Sequence, residues 1–234
     1  MSNDGFKREA ANAAVENYVE SGMVIGLGTG STATFAVQRI GELVASGELR
    51  DLKGVPTSAK TTALANELGI PLATLSEVRP LLTIDGTDEV SPDLALIKGR
   101  GGALLREKIV ASSSEEGLIV VADSTKAVDA LGAGPLPVEI DTFGWEITLE
   151  ALASLGCEPE LRMDWTDPGR PFVTDGGHYT ADCRFDGISD PASLEVEIKR
   201  IPGALECGLF VGLAVAAIVA GENGTHTIEA PLRS

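Results

Sequence analysis

Met23-Val24-Ile25-Gly26-Leu27-Gly28-Thr29-Gly30-Ser31-Thr32 is the stretch from which the fold is read. An apolar run passes into a turn with glycine at every second position, and residues 33–45 continue with a helical pattern closed near Gly47. Such a run, bounded by glycines, reads as a short buried strand followed by a tight strand-to-helix turn. Upstream, Asn3 or Asp4 is placed to cap a helix over about residues 6–19. Phe6, Ala10, Ala13, Ala14 and Tyr18 form its inward stripe.

The unit recurs. Gly54-Val55-Pro56-Thr57-Ser58 leads into a predicted helix over 59–68, with Gly69 as its stop. Residues 81–84 form a second buried-strand candidate that ends at Asp85-Gly86-Thr87-Asp88-Glu89, and residues 118–122 form a third that ends at Asp123. Between these two lies Lys98-Gly99-Arg100-Gly101-Gly102, followed by a helix predicted to run to about Ser112. Apolar strands alternating with helices predict an α/β fold: an open, mostly parallel, Rossmann-like sheet with helices on both faces. The polar motifs fall just after strands, at the edge of the sheet where ligands bind.

The pattern changes after Gly132-Ala133-Gly134-Pro135-Leu136-Pro137, which reads as a linker. A helix is expected over 142–155, stopped at Gly156. Residues 170–174 and 179–185, flanking Asp175-Gly176-Gly177, are expected to form a hairpin. Ile201-Pro202-Gly203 then returns the chain, and residues 214–220 complete the first sheet. The expected division is residues 1–130 and 204–234 in a catalytic domain, with 131–203 in a smaller inserted α+β domain.

Composition restricts the function. The 234 residues are 44% apolar and carry 18 basic against 35 acidic side chains, a net charge of −17. That balance speaks against nucleic acid, whose phosphates are held by Lys and Arg, but allows a small phosphorylated ligand held by a local cluster. Only seven of the basic residues are Lys. With the excess of Asp and Glu, this points to a salt-rich cytoplasm; a merely acidic mesophilic enzyme is the alternative. Cys157, Cys183 and Cys207 form no CxxC pair, and His178 and His226 have no ligand-like spacing to them, so no metal site is predicted. The first residues show no apolar signal segment, and the longest apolar run, residues 209–220, is too short for a membrane helix. The expectation is a cytoplasmic protein with no membrane partner.

The chemistry resides in the turns. Gly26 to Thr32 matches neither the dinucleotide fingerprint, since Ser31 stands where a third glycine belongs, nor a Walker loop. Its amides and the Thr29, Ser31 and Thr32 hydroxyls can cradle one phosphate; equally, it is a capped strand-to-helix turn. Asp85 and Asp88 can hold sugar hydroxyls, bind magnesium or cap a turn. In the Lys98 turn, glycines let the backbone approach an anion, and a carboxylate, Glu107, lies inside the following helix, where it reads as a base acting on whatever carries the anion. The plain alternative is a surface cation and an ordinary Arg-Glu-Lys helix.

Taken together, GLGTGSTA at Gly26, DGTDEV at Asp85, KGRGGALLREK at Lys98, ADSTK at Ala122 and IPGALECGLF at Ile201 resemble the A-type ribose-5-phosphate isomerases. The resemblance spans nearly the whole chain, and the order and spacing of the motifs make it specific. It implies an aldose–ketose isomerase of the non-oxidative pentose phosphate pathway that interconverts ribose 5-phosphate and ribulose 5-phosphate without metal or organic cofactor. Carried over by motif, Glu107 is the catalytic base, with Lys98 and Asp85 assisting. Thr29, Gly30, Ser31, Thr32, Asp85, Gly86, Thr87, Asp88, Lys98, Gly99, Arg100, Gly101 and Lys126 contact substrate. Lys7 and Arg8 compete for the place of an N-terminal lysine that reaches the site in the family, and Arg100 departs from a turn that is all glycine in many relatives. A homodimer or homotetramer is expected. Two rivals are a non-catalytic sugar-phosphate-sensing domain, which needs no Glu107, and an amino-sugar phosphate deaminase, which typically needs a histidine within a motif.

Overall fold

The computed structural model describes residues 2–229. The chain opens with α1 (Asn3–Tyr18), β1 (Val24–Leu27), α2 (Ser31–Ser46), β2 (Lys53–Pro56) and α3 (Ala59–Glu67). It continues through β3 (Leu82–Gly86), β4 (Glu89–Val90), β5 (Leu96–Ile97), α4 (Leu104–Ser112) and β6 (Leu118–Asp123). Helix α1 starts earlier than expected because the Ser2 hydroxyl, not Asn3 or Asp4, caps it by accepting from Gly5 N–H. Helix α2 ends where Gly47 turns left-handed at φ 76°.

Strands β1, β2, β3 and β6 lie parallel in a six-stranded sheet of order β13-β12-β6-β3-β1-β2, completed by β12 (Ala214–Gly221) and β13 (Gly224–Glu229). Only β13, an edge strand the sequence did not announce, runs antiparallel. Burial on both faces explains the near-continuous Val, Ile and Leu of these strands. One face packs on α1 and α2 through Ile25, Leu27, Ile84 and Val121, while the other buries Leu118, Val120 and Phe210.

A second sheet, of order β10-β7-β9-β8, is built from β7 (Leu136–Ile140), β8 (Glu158–Leu161), β9 (Tyr179–Arg184) and β10 (Ala204–Cys207). It carries α5 (Trp145–Ala153) and α6 (Pro191–Lys199) around its own core of Leu136, Val138, Ile140, Leu152 and Ile198. Strand β11 (Leu209–Phe210) pairs with β5, and β5 with β4, in a three-stranded link between the sheets. Two expectations are corrected here. Leu136 and Pro137 are not linker but belong to a fully buried strand. Strand β9 pairs with β8 and β7, not with residues 170–174, which form an irregular arm ending in a tight turn. Residues 204–207, where the chain returns, hydrogen-bond with β7.

Candidate active site

The cleft forms beyond the carboxyl ends of β1 and β3. Gly28 has no room for a side chain, because a Cβ there would lie 2.2 Å from the Asp85 carboxylate. Thr29 faces the cleft, yet its polar groups are already engaged. Its N–H donates to Asp85 Oδ1 (2.9 Å), and its hydroxyl lies 2.7, 2.8 and 3.0 Å from those of Thr57, Ser58 and Thr61. Helix α2 then begins without a capping side chain, Gly30 occupying the cap position at φ 108°. The Ser31 and Thr32 hydroxyls have no partner among the described residues, so the helix start offers amides and two hydroxyls to an anion.

Asp85, at the end of β3, is 1% exposed; besides Thr29 N–H it accepts Gly86 N–H (2.7 Å). Gly86 and Thr87 continue the cleft wall. The Thr87 hydroxyl bonds the Glu89 and Ile97 carbonyls, and Asp88 accepts Arg100 N–H at 2.9 Å. These bonds tie the Asp85 loop to the Lys98 turn.

Lys98 is buried, and its backbone is pinned by donation to the Gly208 carbonyl (2.8 Å). Its Nζ donates to the Gly86 carbonyl and lies 3.1 Å from Asp85 Oδ2 and 3.3 Å from Glu107 Oε2. Glu107 stands in the first turn of α4, whose N-terminus also lacks a capping side chain. Its Oε2 is buried without a hydrogen bond; the Lys98 contact is one of charge, not of donor geometry. Two buried carboxyls thus share one ammonium. Burial pushes Glu107 up to about 8, which Lys98 partly opposes and Asp85 reinforces. Burial likewise raises Asp85 against the pull of Lys98. Burial alone would lower Lys98, but Asp85 and then Glu107 outweigh it and keep the ammonium charged.

Lys126 closes the cleft from a 3-10 turn capped by Asp123, and its ammonium has no acceptor among the described residues. The cleft, with a cavity volume of about 80 Å³, brings together Thr29, Gly30, Ser31, Thr32, Gly86, Thr87, Asp88, Lys98, Gly99, Gly101, Glu107 and Lys126. Asp85 lies beneath it. Arg100 does not line it: its guanidinium turns away to Glu89, 2.7 Å distant, and packs on Gly134. Neither N-terminal cation lines it either, since Arg8 covers the Phe35 ring and Lys7 pairs with Asp4. The hydroxyl cluster of Thr57, Ser58 and Thr61 was missed from sequence; its signal was a run of hydroxyl residues directly after a strand. A larger apolar groove between β2 and α4, lined by Val55, Leu72, Ile109 and Val110, carries charge only on exposed Glu77 and Arg106. The reactive groups converge in the charged cleft instead.

Among the described residues, Glu195, Glu206 and Cys207 have metal-ligand spacing. The Lys108 ammonium already fills that cluster, 2.6 and 2.8 Å from the two carboxylates.

The family profile of ribose 5-phosphate isomerase A (phosphoriboisomerase A) matches residues 53–224. Ribose-5-phosphate isomerase A of Gloeobacter violaceus is 56% identical over 231 residues, covering 97% of each chain. That of Roseiflexus castenholzii is 49% identical over 99% of this chain and 98% of its own. A solved D-ribose-5-phosphate isomerase in complex with phospho-erythronic acid superposes with a TM-score of 0.94 at 39% identity, covering 98% of this chain and all of that one. The Plasmodium falciparum ribose 5-phosphate isomerase gives 0.92 at 42% identity, over 97% and 98% of the two chains.

Proposed function

The chain belongs to the ribose 5-phosphate isomerase A family and interconverts D-ribose 5-phosphate and D-ribulose 5-phosphate; from this premise we propose how its residues divide the work. Glu107 is the base. With the sugar open, it takes the proton from C2, leaving a C1–C2 enediolate; the C2 hydroxyl proton passes to O1, and Glu107 returns its own proton to C1 to give the ketose. The negative charge that develops on the sugar oxygen is met by Lys98, which is buried and already charged, so no reorganisation is needed at that moment. Asp85, or Asp88 beside it, orients hydroxyls and assists ring opening. The phosphate sits on the uncapped start of α2 with Ser31, Thr32 and Lys126, a remote handle that positions the reacting carbons.

One observation carries this reading: the Glu107 oxygen, buried and without a hydrogen bond, lies beside a buried ammonium in the cleft. A carboxyl raised to about 8 is also a stronger base than an ordinary glutamate. Turnover of ribose 5-phosphate by Glu107→Gln tests it, with phospho-erythronic acid, the ligand of a solved relative, as a probe of the intact binding site. A sensing domain is not favoured, since sensing does not require a buried carboxyl oxygen without a hydrogen bond beside an ammonium.

The reading extends to the whole particle. Phe143, Ile147 and Trp165, all on the smaller unit, are exposed at 90, 67 and 65% and support a homodimer or homotetramer. No helix of the described residues is long and apolar enough to cross a membrane, and we keep the cytoplasmic assignment, free of nucleic acid and membrane partners. Residues 1–130 with 204–234 remain the proposed catalytic domain and 131–203 the smaller one, with β10 shared at their junction. The mechanism requires no cofactor.

A further inference from the structure

The turn that carries Lys98 is held from outside the catalytic sheet. Arg162 follows β8 in the smaller unit and is 7% exposed. Its Nε donates to Asp182 Oδ2 (2.8 Å) and its Nη2 to Asp182 Oδ1, a bidentate pair across β8 and β9. Nη1 points the other way and donates to the carbonyls of Gly99 (2.9 Å) and Arg100 (3.2 Å). The Arg162 backbone is pinned on both sides, by Thr180 O at 2.8 Å and Phe172 N at 2.8 Å. The guanidinium therefore has little freedom.

The consequence follows from peptide geometry. In a planar trans peptide, C=O and the next N–H point in opposite directions. Drawing the Gly99 carbonyl outward to Arg162 turns Arg100 N–H toward Asp88, which accepts it at 2.9 Å. Drawing the Arg100 carbonyl outward turns Gly101 N–H toward the cleft that Gly101 lines. That amide has no acceptor among the described residues. Without the guanidinium, the Gly99–Arg100 peptide keeps its bonds to Gly102 N–H (3.0 Å) and Asp88, but the Arg100–Gly101 peptide loses its one partner among the described residues and is free to rotate beside Gly102, at φ 82°.

We propose that Arg162 is a positioning residue for the isomerisation: by gripping the Gly99 and Arg100 carbonyls it aims the Gly101 amide and the Lys98 ammonium at the oxygens of the enediolate. The smaller unit is thereby part of the active site through a residue that never touches substrate. This inference rests on the assignment of Glu107 and Lys98 above, and the test separates the two.

Turnover should be measured for Arg162→Met, Arg162→Lys, Asp182→Asn and Glu107→Gln. Arg162→Met should lose about 10²-fold in kcat with KM little changed, since misplacing a reacting group by about 1 Å costs that much. Asp182→Asn, which leaves the carbonyl contacts available, should lose far less, and Arg162→Lys should fall between them. Guanidinium ion added to Arg162→Met should recover part of kcat. Unchanged kcat in Arg162→Met, or equal losses in Arg162→Met and Asp182→Asn with no guanidinium rescue, would overturn the proposal. Should Arg162→Met fail to fold, an Arg162→Lys variant with parental kcat does the same. If Glu107→Gln loses kcat while Arg162→Met keeps the parental kcat, only the role of Arg162 falls; if Glu107→Gln turns over normally, the catalytic assignment itself falls.

Discussion

Two glycine-rich turns, each feeding a helix that lacks a capping side chain, face each other across the cleft, and they are built in opposite ways. The Gly28–Gly30 turn is supported from within its own sheet. Asp85 takes the Thr29 amide, and Thr57, Ser58 and Thr61 surround the Thr29 hydroxyl. What it leaves unused is an open helix start with two free hydroxyls, Ser31 exposed and Thr32 buried. The Lys98–Gly102 turn is supported from elsewhere, by Gly208, Asp88 and Arg162. What it leaves unused is buried: an ammonium shared by two carboxyls, one of which has an oxygen without a hydrogen bond. A self-supported anion site at an open helix start suits binding. A buried cluster with two carboxyls to one ammonium suits proton transfer, because low dielectric raises the base and strengthens the ammonium's grip on a developing oxyanion.

If that contrast is right, changes in the second turn act on kcat and changes at the first on KM. Glu107→Gln should give the largest effect, a fall in kcat on the order of 10² to 10⁴ with substrate still bound. Near-parental turnover would remove the distinction altogether. Lys98→Ala should lower kcat by about 10²-fold, more than it raises KM. A pure KM effect would move Lys98 to the binding side of the comparison. Lys126→Ala, on the phosphate side, should raise KM roughly tenfold, leaving kcat within a small factor, as expected for lost uniform binding. A matching loss in kcat would show that the phosphate handle contributes to the chemical step.

The smallest effect is on stability. The Glu107 carboxyl has an ordinary value of 4.5 and reaches about 8 in the fold. Its folded form therefore holds a proton that the unfolded chain gives up. The stability this proton confers is complete below the ordinary value and is lost as pH climbs through about 8. Glu107→Gln carries no such proton. Its Tm relative to the parent should improve by a few degrees between about pH 5 and about pH 8.5. An offset that does not change with pH would mean the carboxyl is not displaced from its ordinary range.

Legibility in the sequence follows how local each feature is. Strands β1, β3 and β6 and helices α2, α3 and α4 were evident from apolar runs punctuated by glycine, and the cleft residues followed because each sits just past a strand or at a helix start. The smaller unit was harder to read. Pro137 looked like a linker, although Leu136, Val138 and Ile140 around it fill a core, and Asp175-Gly176-Gly177 looked like a hairpin turn although β9 takes β8 as its neighbour. Its pairings are long-range, and turn residues fix a bend without fixing which strands meet. Arg100 shows the same limit at one residue: its place in the turn was readable, its side chain's direction toward Glu89 was not.

By itself the amino-acid sequence determined the alternating strands and helices, the acidic surface and the set of chemical groups brought to the sheet edge, since periodicity, composition and short-range turn chemistry are local properties. Only the tertiary structure decided that Lys98, Asp85 and Glu107 are buried together, that Thr29 serves the scaffold and that Arg162 reaches across to hold the Lys98 turn. Burial and hydrogen-bond direction depend on what other segments of the chain bring into contact, and no run of neighbouring residues encodes that.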